Sequence, residues 1–597
     1  MPRFSVSPHC ETPIAARRWL LPLCAALLLG LLATTGAWAD GAAPAPAAAP
    51  TLAADAPAPH DAPEAEAGHG TPHVAAIWML PFALLLGSIA LCPLISMHFW
   101  EHKYPWFAAV LGSITAIYYL FIFKDPYAQG AWLHEMQEYV SFIALLGALY
   151  IVSGGIVITV SRRATATTNT ILLLFGALIA NVVGTTGAAM LLIRPYIRIN
   201  KNHIKPYHVV FFIFIVANCG GCLTPIGDPP LFMGYLKGVP FFWVLKACWP
   251  MWALGVLILL LIFFNWDWWD HRKQAREHPP EHDAGPAVDI LGIQNFLWIG
   301  LILVAVFRPS MFHAIHEGHY GQLLISREVL MVLAAVISLL TTQRGIYERN
   351  EFTYGPIREV AILFAAIFST MVPALNYLNL NSDQMPLKTP GQYYFVTGGL
   401  SAVLDNAPTY LVFLETQRGT INKQNAHDLE AVKWIVAEQA EGRGPSDADI
   451  LAHLKKIIPY RDGTDGASPT LAPAAYLESL RDRLPAIKGA VKSLETYHRE
   501  EKDANQVTDG QVNLAYLLGT PEMALFLIAI SVGAVFFGAC TYIGNGPNFM
   551  VKSIAESAGI CMPSFFGYLF KFALPILIPV YVLVWFIFFV WMPSLGG

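Results

Sequence analysis

The sequence is poor in charged residues. Asp, Glu, Lys and Arg together make up 13% of the 597 residues, against about a quarter in a typical soluble domain. The hydrophobic fraction is 55% and the mean hydropathy is +0.49. This composition excludes an ordinary soluble enzyme and predicts an all-α polytopic membrane protein whose main partner is the lipid bilayer.

Signatures of catalysis and of disulfide bonding are also missing. Eight cysteines form no disulfide framework, and Cys219-Gly-Gly-Cys222 lacks the second pair that a zinc site needs. The spacing of His313, His316 and His319 fits a solvated loop better than a metal site. No nucleophile elbow, Walker loop or His-Glu-x-x-His motif occurs. We therefore expect no enzyme activity, no cofactor and, without a basic aromatic patch, no nucleic-acid partner.

The N-terminus is typical of a secretory signal followed by a tether. Arg17 and Arg18 precede an apolar run, and Ala37-Trp38-Ala39 fits a small-x-small cleavage site. Residues 1–39 are therefore predicted to be a signal peptide, with an uncleaved first span as the alternative. Residues 40–74, rich in Ala and Pro, are predicted to be a disordered tether.

The placement of basic residues indicates that two apolar runs do not cross the membrane. If run 170–193 crossed fully, the basic residues that follow it would lie outside, against the positive-inside rule. If it returns on the side where it entered, every basic cluster lies inside. Run 392–414 carries Asp405-Asn406-Ala407-Pro408-Thr409 at its centre and is predicted to dip in from the opposite side. The apolar runs are 76–97, 104–123, 138–160, 170–193, 207–223, 241–265, 291–307, 328–341, 358–378, 392–414, 522–543 and 565–592.

A decapeptide recurs in the two halves of the chain. Residues 224–233 and 541–550 share six of ten positions, and each interrupts an apolar run with Gly, Pro and Thr. Paired breaks of this kind are typical of transporter binding sites. The sequence predicts two inverted repeats, each with a re-entrant hairpin and a broken transmembrane helix. They occupy 75–416, which also includes the linking helices and the second hairpin, and 520–597, separated by a polar, periplasmic insert at 417–519.

The hairpin tips and helix breaks supply the candidate ligands for a small ion. Asp228 and Asp405 are the most informative of them, because an ionisable group at membrane depth usually marks an ion or proton path. The alternative for Asp228 is a helix cap before two prolines, and the alternative for the Gly and Thr residues is close helix packing. The candidate ion-binding residues are Asn181, Thr185, Thr186, Asn218, Gly221, Thr224, Asp228, Asp405, Asn406, Thr409, Thr541, Asn545 and Asn548.

Segments 181–189 with 223–233, and 404–411 with 541–550, resemble the ion transporter superfamily. It includes NhaD-type sodium:proton antiporters, arsenite permeases, citrate-metal symporters and sodium-coupled dicarboxylate carriers. The resemblance implies alternating access, a homodimer, and Na⁺ and H⁺ as transported ions rather than cofactors. It further implies Na⁺ ligands at Asn181, Thr185, Thr224, Asp405, Asn406, Thr541 and Asn545.

The tips depart from those of the dicarboxylate carriers. This chain has Gly184-Thr185-Thr186 and Asp405-Asn406-Ala407 where those carriers have Ser-Asn-Thr. A carboxylate at a tip suits exchange of cations and protons better than binding of a polyanion. We therefore expect a multi-pass Na⁺/H⁺ antiporter of the bacterial inner membrane. The alternative is a citrate, dicarboxylate or arsenite-type anion transporter coupled to H⁺ or a cation; a channel, a membrane enzyme and a sensor are the other classes considered.

Overall fold

The computed structural model describes residues 74–592 except 124, 161–164, 202, 276–287, 308–326, 351, 459–472 and 504. The signal peptide, nearly all of the tether, and His313, His316 and His319 lie outside the described residues. The α-helices are α1 Leu80–Ile95, α2 Met97–Ile117, α3 Pro126–Gly154, α4 Ala166–Ile199, α5 Pro206–Ile215, α6 Pro229–Leu236, α7 Phe241–Ala275, α8 Asn295–Phe307, α9 Arg327–Thr341, α10 Arg344–Arg349, α11 Gly355–Leu380, α12 Pro390–Ser401, α13 Asn406–Gln424, α14 Ala426–Ala440, α15 Asp447–Ile457, α16 Pro473–Tyr497, α17 Arg499–Asp503, α18 Asp509–Gly519, α19 Pro521–Phe537, α20 Gly546–Ser557, α21 Phe565–Tyr568 and α22 Ile578–Trp585.

Long apolar helices dominate the described chain and confirm an all-α polytopic membrane protein. Eight helices within the described ranges are long and apolar enough to cross a bilayer. The last of them, Phe565–Trp591, alternates α-helical turns with the π-helical segments Leu569–Leu577 and Phe586–Trp591. Its internal Pro575 lies in the first of these segments, where a missing N–H accounts for the irregular turns.

Helix α4 folds back on itself at Gly184. Gly184 has φ 79° and ψ 157°, a conformation that only glycine adopts readily. The side chains of Asn169 and Asn200, 31 positions apart, exchange two hydrogen bonds of 2.9 Å. A straight helix of that length would hold them about 45 Å apart. We call this helix pair the first hairpin, with its tip at Gly184 and its open end at Asn169 and Asn200.

Helices α12 and α13 form a second hairpin. Thr389 caps α12 in a capping box with Gln392, and Pro390 occupies the first helical position. The chain reverses over residues 402–405 before α13 begins. The rings of Tyr393 and Phe413 are 6.1 Å apart, so the start of α12 lies beside the middle of α13. Run 392–414 is therefore two antiparallel helices with a tip between them.

Each hairpin is accompanied by an interrupted helix. The first break, residues 216–228, separates α5 from α6 and contains the 3-10 turn Cys219–Gly221. The second break, residues 538–545, separates α19 from α20 and contains the 3-10 turn Gly538–Cys540. Both breaks are buried over nearly all of their length, so their backbone groups depend on protein partners rather than on lipid or bulk water.

The polar insert is a small helical unit continuous with the second hairpin. Helices α14, α15, α16, α17 and α18 lie within residues 417–519. Asn513 donates a 2.9 Å hydrogen bond to the backbone of Arg418 in α13. Inside the insert Asp428 accepts from Arg483 at 2.7 Å. Burial and this neighbouring Asp428 carboxylate raise the pKa of Tyr516.

A buried ion cluster lies on the same face of the molecule as the insert, which we call the insert face. Lys237, directly after α6, pairs with Glu138 at 2.9 Å and also with Glu135. The opposite face, called the far face, holds the open end of the first hairpin. There Asp267 of α7 accepts a 2.9 Å hydrogen bond from Asn169. Asp267 also accepts a 2.8 Å hydrogen bond from Tyr207 Oη, so the start of α5 is held near Asp267 and the end of α6 is held at Lys237.

One short sheet departs from the all-helical prediction. Strands β1 Val157–Val160 and β2 Val288–Leu291 pair antiparallel, with Val157 opposite Leu291. The first strand forms the end of apolar run 138–160. Its Val and Ile residues favour an extended backbone once the helix has ended at Gly154-Gly155. The ribbon ties the connections that follow α3 and α7.

Candidate ion-binding site

Asp228 lies at the meeting point of both hairpins and both breaks. Its Oδ1 accepts hydrogen bonds from Thr185 Oγ1 at 2.7 Å and from Asn545 Nδ2 at 2.9 Å. Its Oδ2 accepts from Asn406 Nδ2 at 2.6 Å. The residue is 1% exposed. Three side chains from segments distant in sequence therefore donate hydrogen bonds to one buried carboxylate.

The backbone around Asp228 explains why its side chain faces inward. Asp228 precedes α6 with an extended backbone, and Pro229 and Pro230 occupy the first helical positions. The position is that of a helix cap, as the alternative interpretation expected, but the carboxylate makes no capping hydrogen bond. It is directed instead to the side chains of the two hairpins and the second break.

Two threonines attach the breaks to the hairpins in the same way. Thr224 Oγ1 donates to the carbonyl of Asn181 at 2.6 Å and accepts from Gly227 N at 3.1 Å. Thr541 Oγ1 donates to the carbonyl of Ala402 at 2.6 Å. It accepts from Gly544 N at 3.1 Å, so both threonines make the same pair of bonds at the same distances.

These shared contacts align the two halves residue by residue. Asn181 corresponds to Ala402, so Thr185, four positions later, corresponds to Asn406. Thr224 corresponds to Thr541, so Asp228 corresponds to Asn545. The tip triplets Gly184-Thr185-Thr186 and Asp405-Asn406-Ala407 place Thr185 opposite Asn406 in the same way. The two halves therefore make matching contacts but differ in charge. The first break carries the carboxylate of Asp228 where the second break carries the amide of Asn545.

The two breaks also touch each other through asparagines. Asn218 donates to Asn548 Oδ1 at 2.6 Å, and Asn545 donates to Asn218 Oδ1 at 3.2 Å. Asn548 donates in turn to the carbonyls of Gly538 and Thr541 at 2.8 and 2.9 Å. All three asparagines are buried. Their amides pair with break carbonyls that no helix satisfies.

Asp405 occupies a different position from Asp228. Its Oδ1 accepts from the backbone N–H of Ala407 at 3.1 Å, which makes it the cap of α13. Thr409 donates to the Asp405 carbonyl at 2.9 Å. Asp405 is only partly buried, and no hydrogen bond joins it to Asp228. The two carboxylates singled out from the sequence are thus one central group and one group at the edge of the second tip.

The remaining candidates shape the first tip. Asn181 donates to the carbonyls of Ala177 and Gly220 at 2.9 and 2.7 Å, and its Oδ1 accepts from Leu223 N. Gly221 approaches Gly227 so closely that a Cβ there would lie 2.7 Å from the Gly227 carbonyl oxygen. This close approach needs glycine.

Thr186 is partly exposed and borders a small cavity. The cavity, about 20 Å³ in volume, lies between the tip of the first hairpin and the first break. A space of this size holds about one water molecule. Gly184, Gly227 and Pro229 also line it.

Oxygen acceptors and amide groups surround the Asp228 carboxylate, which is the centre of the site. One of these oxygens, Asn406 Oδ1, is unpaired among the described residues. Asn406 is fully buried, and its Oδ1 has no hydrogen-bond partner among the residues that the structure describes. An oxygen ligand of this kind suits a small hard cation. The donors that face Asp228 are hydroxyl and amide groups, none of which carries a positive charge.

Other motifs singled out from the sequence do not join the centre. Cys219 and Cys222 are buried free thiols, and Cys219 Sγ lies 3.5 Å from Tyr581 Oη. Within the described ranges no group of three or more His, Cys, Asp and Glu side chains is placed to hold a metal ion. The carbonyl of Ala402 was not among the predicted ligands; pairing Gly184 with Asp405 and counting three residues towards the N-terminus places Ala402 opposite Asn181.

The comparison with known families agrees with these features. A family model described as "Putative citrate transport" matches residues 71–440 and 492–589. The chain belongs to this family of membrane transporters. The stretch between the two matched segments lies within the insert, so the family pattern covers both hairpins and both breaks. A search of curated proteins finds no match.

Proposed function

We propose that this transporter is a secondary active carrier in which two inverted repeats alternate in giving access to Asp228. The proposal takes the two hairpins as re-entrant, one entering from each side of the bilayer. The meeting of the two Asn169 and Asn200 side chains supports this for the first hairpin, and the antiparallel packing of α12 on α13 supports it for the second. The matched bonds of Thr224 and Thr541 support the repeat.

The transported species that fits Asp228 best is a small monovalent cation exchanged for a proton. The observation that carries this proposal is one buried carboxylate bound by Thr185, Asn406 and Asn545 without a cationic partner among them. A buried charge is costly unless it is paired. Na⁺ and H⁺ each neutralise the carboxylate, and a site that holds one or the other couples their movements.

The asparagine side chains allow the centre to serve both occupants. An amide presents an N–H donor on one edge and an oxygen acceptor on the other. Asn406 and Asn545 turn their N–H groups toward Asp228 when no cation is bound. A half-turn of either amide replaces the donor by an oxygen ligand for Na⁺. The unpaired Oδ1 of Asn406 is available for this role, with Thr185 and the carbonyls of the breaks completing the shell.

Flux in everted membrane vesicles tests this function. Vesicles that contain the wild type should lose a preformed proton gradient on addition of Na⁺ or Li⁺ and should not do so on addition of citrate. Asp228→Asn should abolish the response, because the neutral amide no longer competes for a proton. Asp509→Asn is the matched control, since the Asp509 side chain is 86% exposed in the insert.

Citrate transport coupled to a cation is the second candidate, and the family match favours it. In that case the same centre would hold the coupling cation, and citrate would bind beside it. Accumulation of labelled citrate in the wild type, with a proton gradient that Na⁺ leaves unchanged, would contradict Na⁺/H⁺ exchange and support this candidate. The proposed setting for either function is a homodimer in the bacterial inner membrane with the insert in the periplasm.

A further inference from the structure

Helices α6 and α20, which follow the two breaks, run to opposite faces of the molecule. Helix α6 begins after Asp228 and is followed by Lys237, in the ion cluster of the insert face. Helix α20 packs against α4 and α5, and both of these extend to the far face, where Asn169 and Tyr207 donate hydrogen bonds to Asp267. Each face is therefore reached from the centre along one helix of this pair.

Two identical side chains have different surroundings on these two helices. The alignment of the breaks equates Phe232 with Phe549 and Met233 with Met550. Phe232 and Met233 on α6 are 3% and 1% exposed, whereas Phe549 and Met550 on α20 are both partly exposed. Composition cannot explain a difference between identical residues. The difference therefore reflects how closely neighbouring helices cover α6 and α20.

Helix α3 covers α6 from the centre to the insert face. The rings of Phe142 on α3 and Phe232 on α6 are 6.1 Å apart. Nearer the insert face, Glu138 of α3 pairs with Lys237 at 2.9 Å. Nearer the centre, Leu146 of α3 lines the small cavity together with the start of α6. The two helices therefore run antiparallel and touch at three successive levels, and we call this contact the α3–α6 seam.

The outer side of α20 is polar. Ser553, Glu556 and Ser557 are exposed there. The ammonium of Lys552 lies 5.7 Å from the centre of the Phe549 ring and pairs with Glu556 at 2.8 Å. Charged side chains on a lipid-facing helix are costly, so this side of α20 faces water rather than acyl chains. Water thus approaches the second break along α20 from the far face.

This aqueous approach ends beside the site. Gly546, at the first position of α20, is exposed. It directly follows Asn545, whose amide donates a 2.9 Å hydrogen bond to Asp228. The counterpart of Gly546 in the first half is Pro229, which lines the small cavity instead. An exposed position is therefore adjacent to a donor of the central carboxylate on the far-face side.

We propose that the molecule is in a state that faces the far face, in which α20 lines the aqueous entrance to the site and the α3–α6 seam is the closed gate of the insert face. The inference rests on the proposed alternation of the two repeats. In the other state α6 separates from α3 and admits the ion from the insert face, while α20 becomes covered. The gate consists of an ion pair at the surface and an aromatic contact beneath it.

Labelling of matched cysteines tests the entrance and requires no transport. Met550→Cys should react with a membrane-impermeant, positively charged methanethiosulfonate from the far face, and Met233→Cys should react at least about tenfold more slowly from either side. Asp509→Cys, at a position 86% exposed in the insert, should react in vesicles of the opposite orientation and identifies the two faces. Peptide mass spectrometry of the full chain reads each site. Equal rates at the two methionine positions, or no reaction of Met550→Cys from the far face, would overturn the proposal.

Variants of the seam test the gate through reciprocal changes. Phe142→Leu reduces the aromatic contact and Lys237→Gln removes the ion pair. Each should raise the labelling of Met233→Cys from the insert face about tenfold and lower that of Met550→Cys from the far face by a similar factor, because one population gains what the other loses. Phe142→Leu retains both charges and decides the outcome if Lys237→Gln does not fold. A change confined to one of the two positions, or no change, would contradict the gate.

A matched control separates the gate from a general loss of stability. Lys205→Gln removes an ion pair with Asp270 on the far face and should leave the labelling of Met233→Cys unchanged. If it raised that labelling as much as Lys237→Gln does, the seam would have no special role. A wild type without Na⁺-driven proton movement would contradict the proposed function, and the labelling would still decide where the entrance and the gate lie.

Discussion

Asn406 Nδ2 lies 2.6 Å from Asp228 Oδ2, a hydrogen bond that joins the second hairpin to the first break across 178 positions of sequence. Thr185 and Asn545 approach the other oxygen of the same carboxylate. The Asp228 carboxylate thus contacts side chains from both halves of the transporter. Changes at this group should affect stability and transport together.

The first prediction concerns Asp228→Asn itself. The new amide would turn an N–H group toward one of three neighbours that are donors already, leaving at least one buried donor unpaired. We expect the free energy of unfolding to fall by about 1–3 kcal/mol, measured as a lower thermal midpoint of the purified protein. Asp509→Asn in the exposed part of the insert should leave the midpoint unchanged. An unchanged midpoint for Asp228→Asn would contradict the central position of this carboxylate.

The second prediction compares the matched threonines. Thr224→Val and Thr541→Val each remove one donor and one acceptor at a break, so both should raise the Na⁺ concentration needed for half-maximal exchange. Thr224→Ser and Thr541→Ser retain the hydroxyl and should recover most of the affinity. If only one of the two valine variants had an effect, the two breaks would not play equivalent roles.

The third prediction tests the fold of the first hairpin. Cysteines at both Asn169 and Asn200 should be joined by a short bifunctional thiol reagent, because the two native side chains touch at 2.9 Å. The matched control pairs Asn169→Cys with Tyr354→Cys, which lies in an exposed position outside the hairpin. Cross-linking seen as a mass gain of the intact chain would agree with a hairpin. If no cross-link formed although each single cysteine reacted with the reagent, α4 would be a straight helix that crosses the membrane.

The fourth prediction concerns the buried ion cluster on the insert face. Lys237→Met removes the lysine that Glu135 and Glu138 share and leaves Glu138 only His134 at 3.2 Å, so we expect a loss of about 3–5 kcal/mol in the free energy of unfolding. Lys205→Met is the control, because the pair of Lys205 with Asp270 is more exposed, and its loss should cost at most about 1 kcal/mol. Chemical denaturation in detergent measures both. Equal effects would show that burial does not set the strength of the cluster.

The fifth prediction is a pH dependence in the insert. Burial lowers the pKa of His498, and Glu501 opposes this shift only in part. The folded state therefore binds the proton less readily than the unfolded chain, whose His pKa is about 6.5. The stabilisation is present above that value and is lost as the pH falls below it.

Hydrogen exchange of the full chain checks this dependence. Peptides that cover α16 and α18 should exchange faster at pH 5.5 than at pH 7.5, after correction for the intrinsic rate. His498→Gln should reduce the difference, whereas His427→Gln, at an exposed position, should not. A difference that persists in His498→Gln would assign the pH dependence to another group.

The two helix breaks and the bend at Gly184 could be predicted because their signals are local. The shared residues of 224–233 and 541–550 mark the breaks directly. The polar residues between Asn181 and Gly187 mark the first tip, since a lipid-facing helix seldom carries them. The positions of basic residues then favoured folding back over crossing, and the contact between Asn169 and Asn200 agrees with that choice.

The distinct positions of the two aspartates could not be predicted from such signals. Asp228 and Asp405 are both carboxylates near a break or a tip, and composition treats them alike. Their difference depends on which side chains arrive from the other half, as Asn406 and Asn545 do at Asp228. The β1–β2 ribbon escaped prediction for a related reason, because its strands have four residues each and pair across more than a hundred positions.

The continuity of α13 with the insert has a practical consequence. A single residue, Asn425, separates α13 from α14, and Asn513 fastens the insert to the backbone of Arg418. Asn406 stands at the other end of the same helix. A fluorophore or a binding antibody fragment placed on the insert is thus attached to one end of α13. Asn406, at the other end of this helix, contacts the carboxylate of Asp228. Optical or single-molecule recordings from such a probe should detect any movement of α13 without a probe in the site itself.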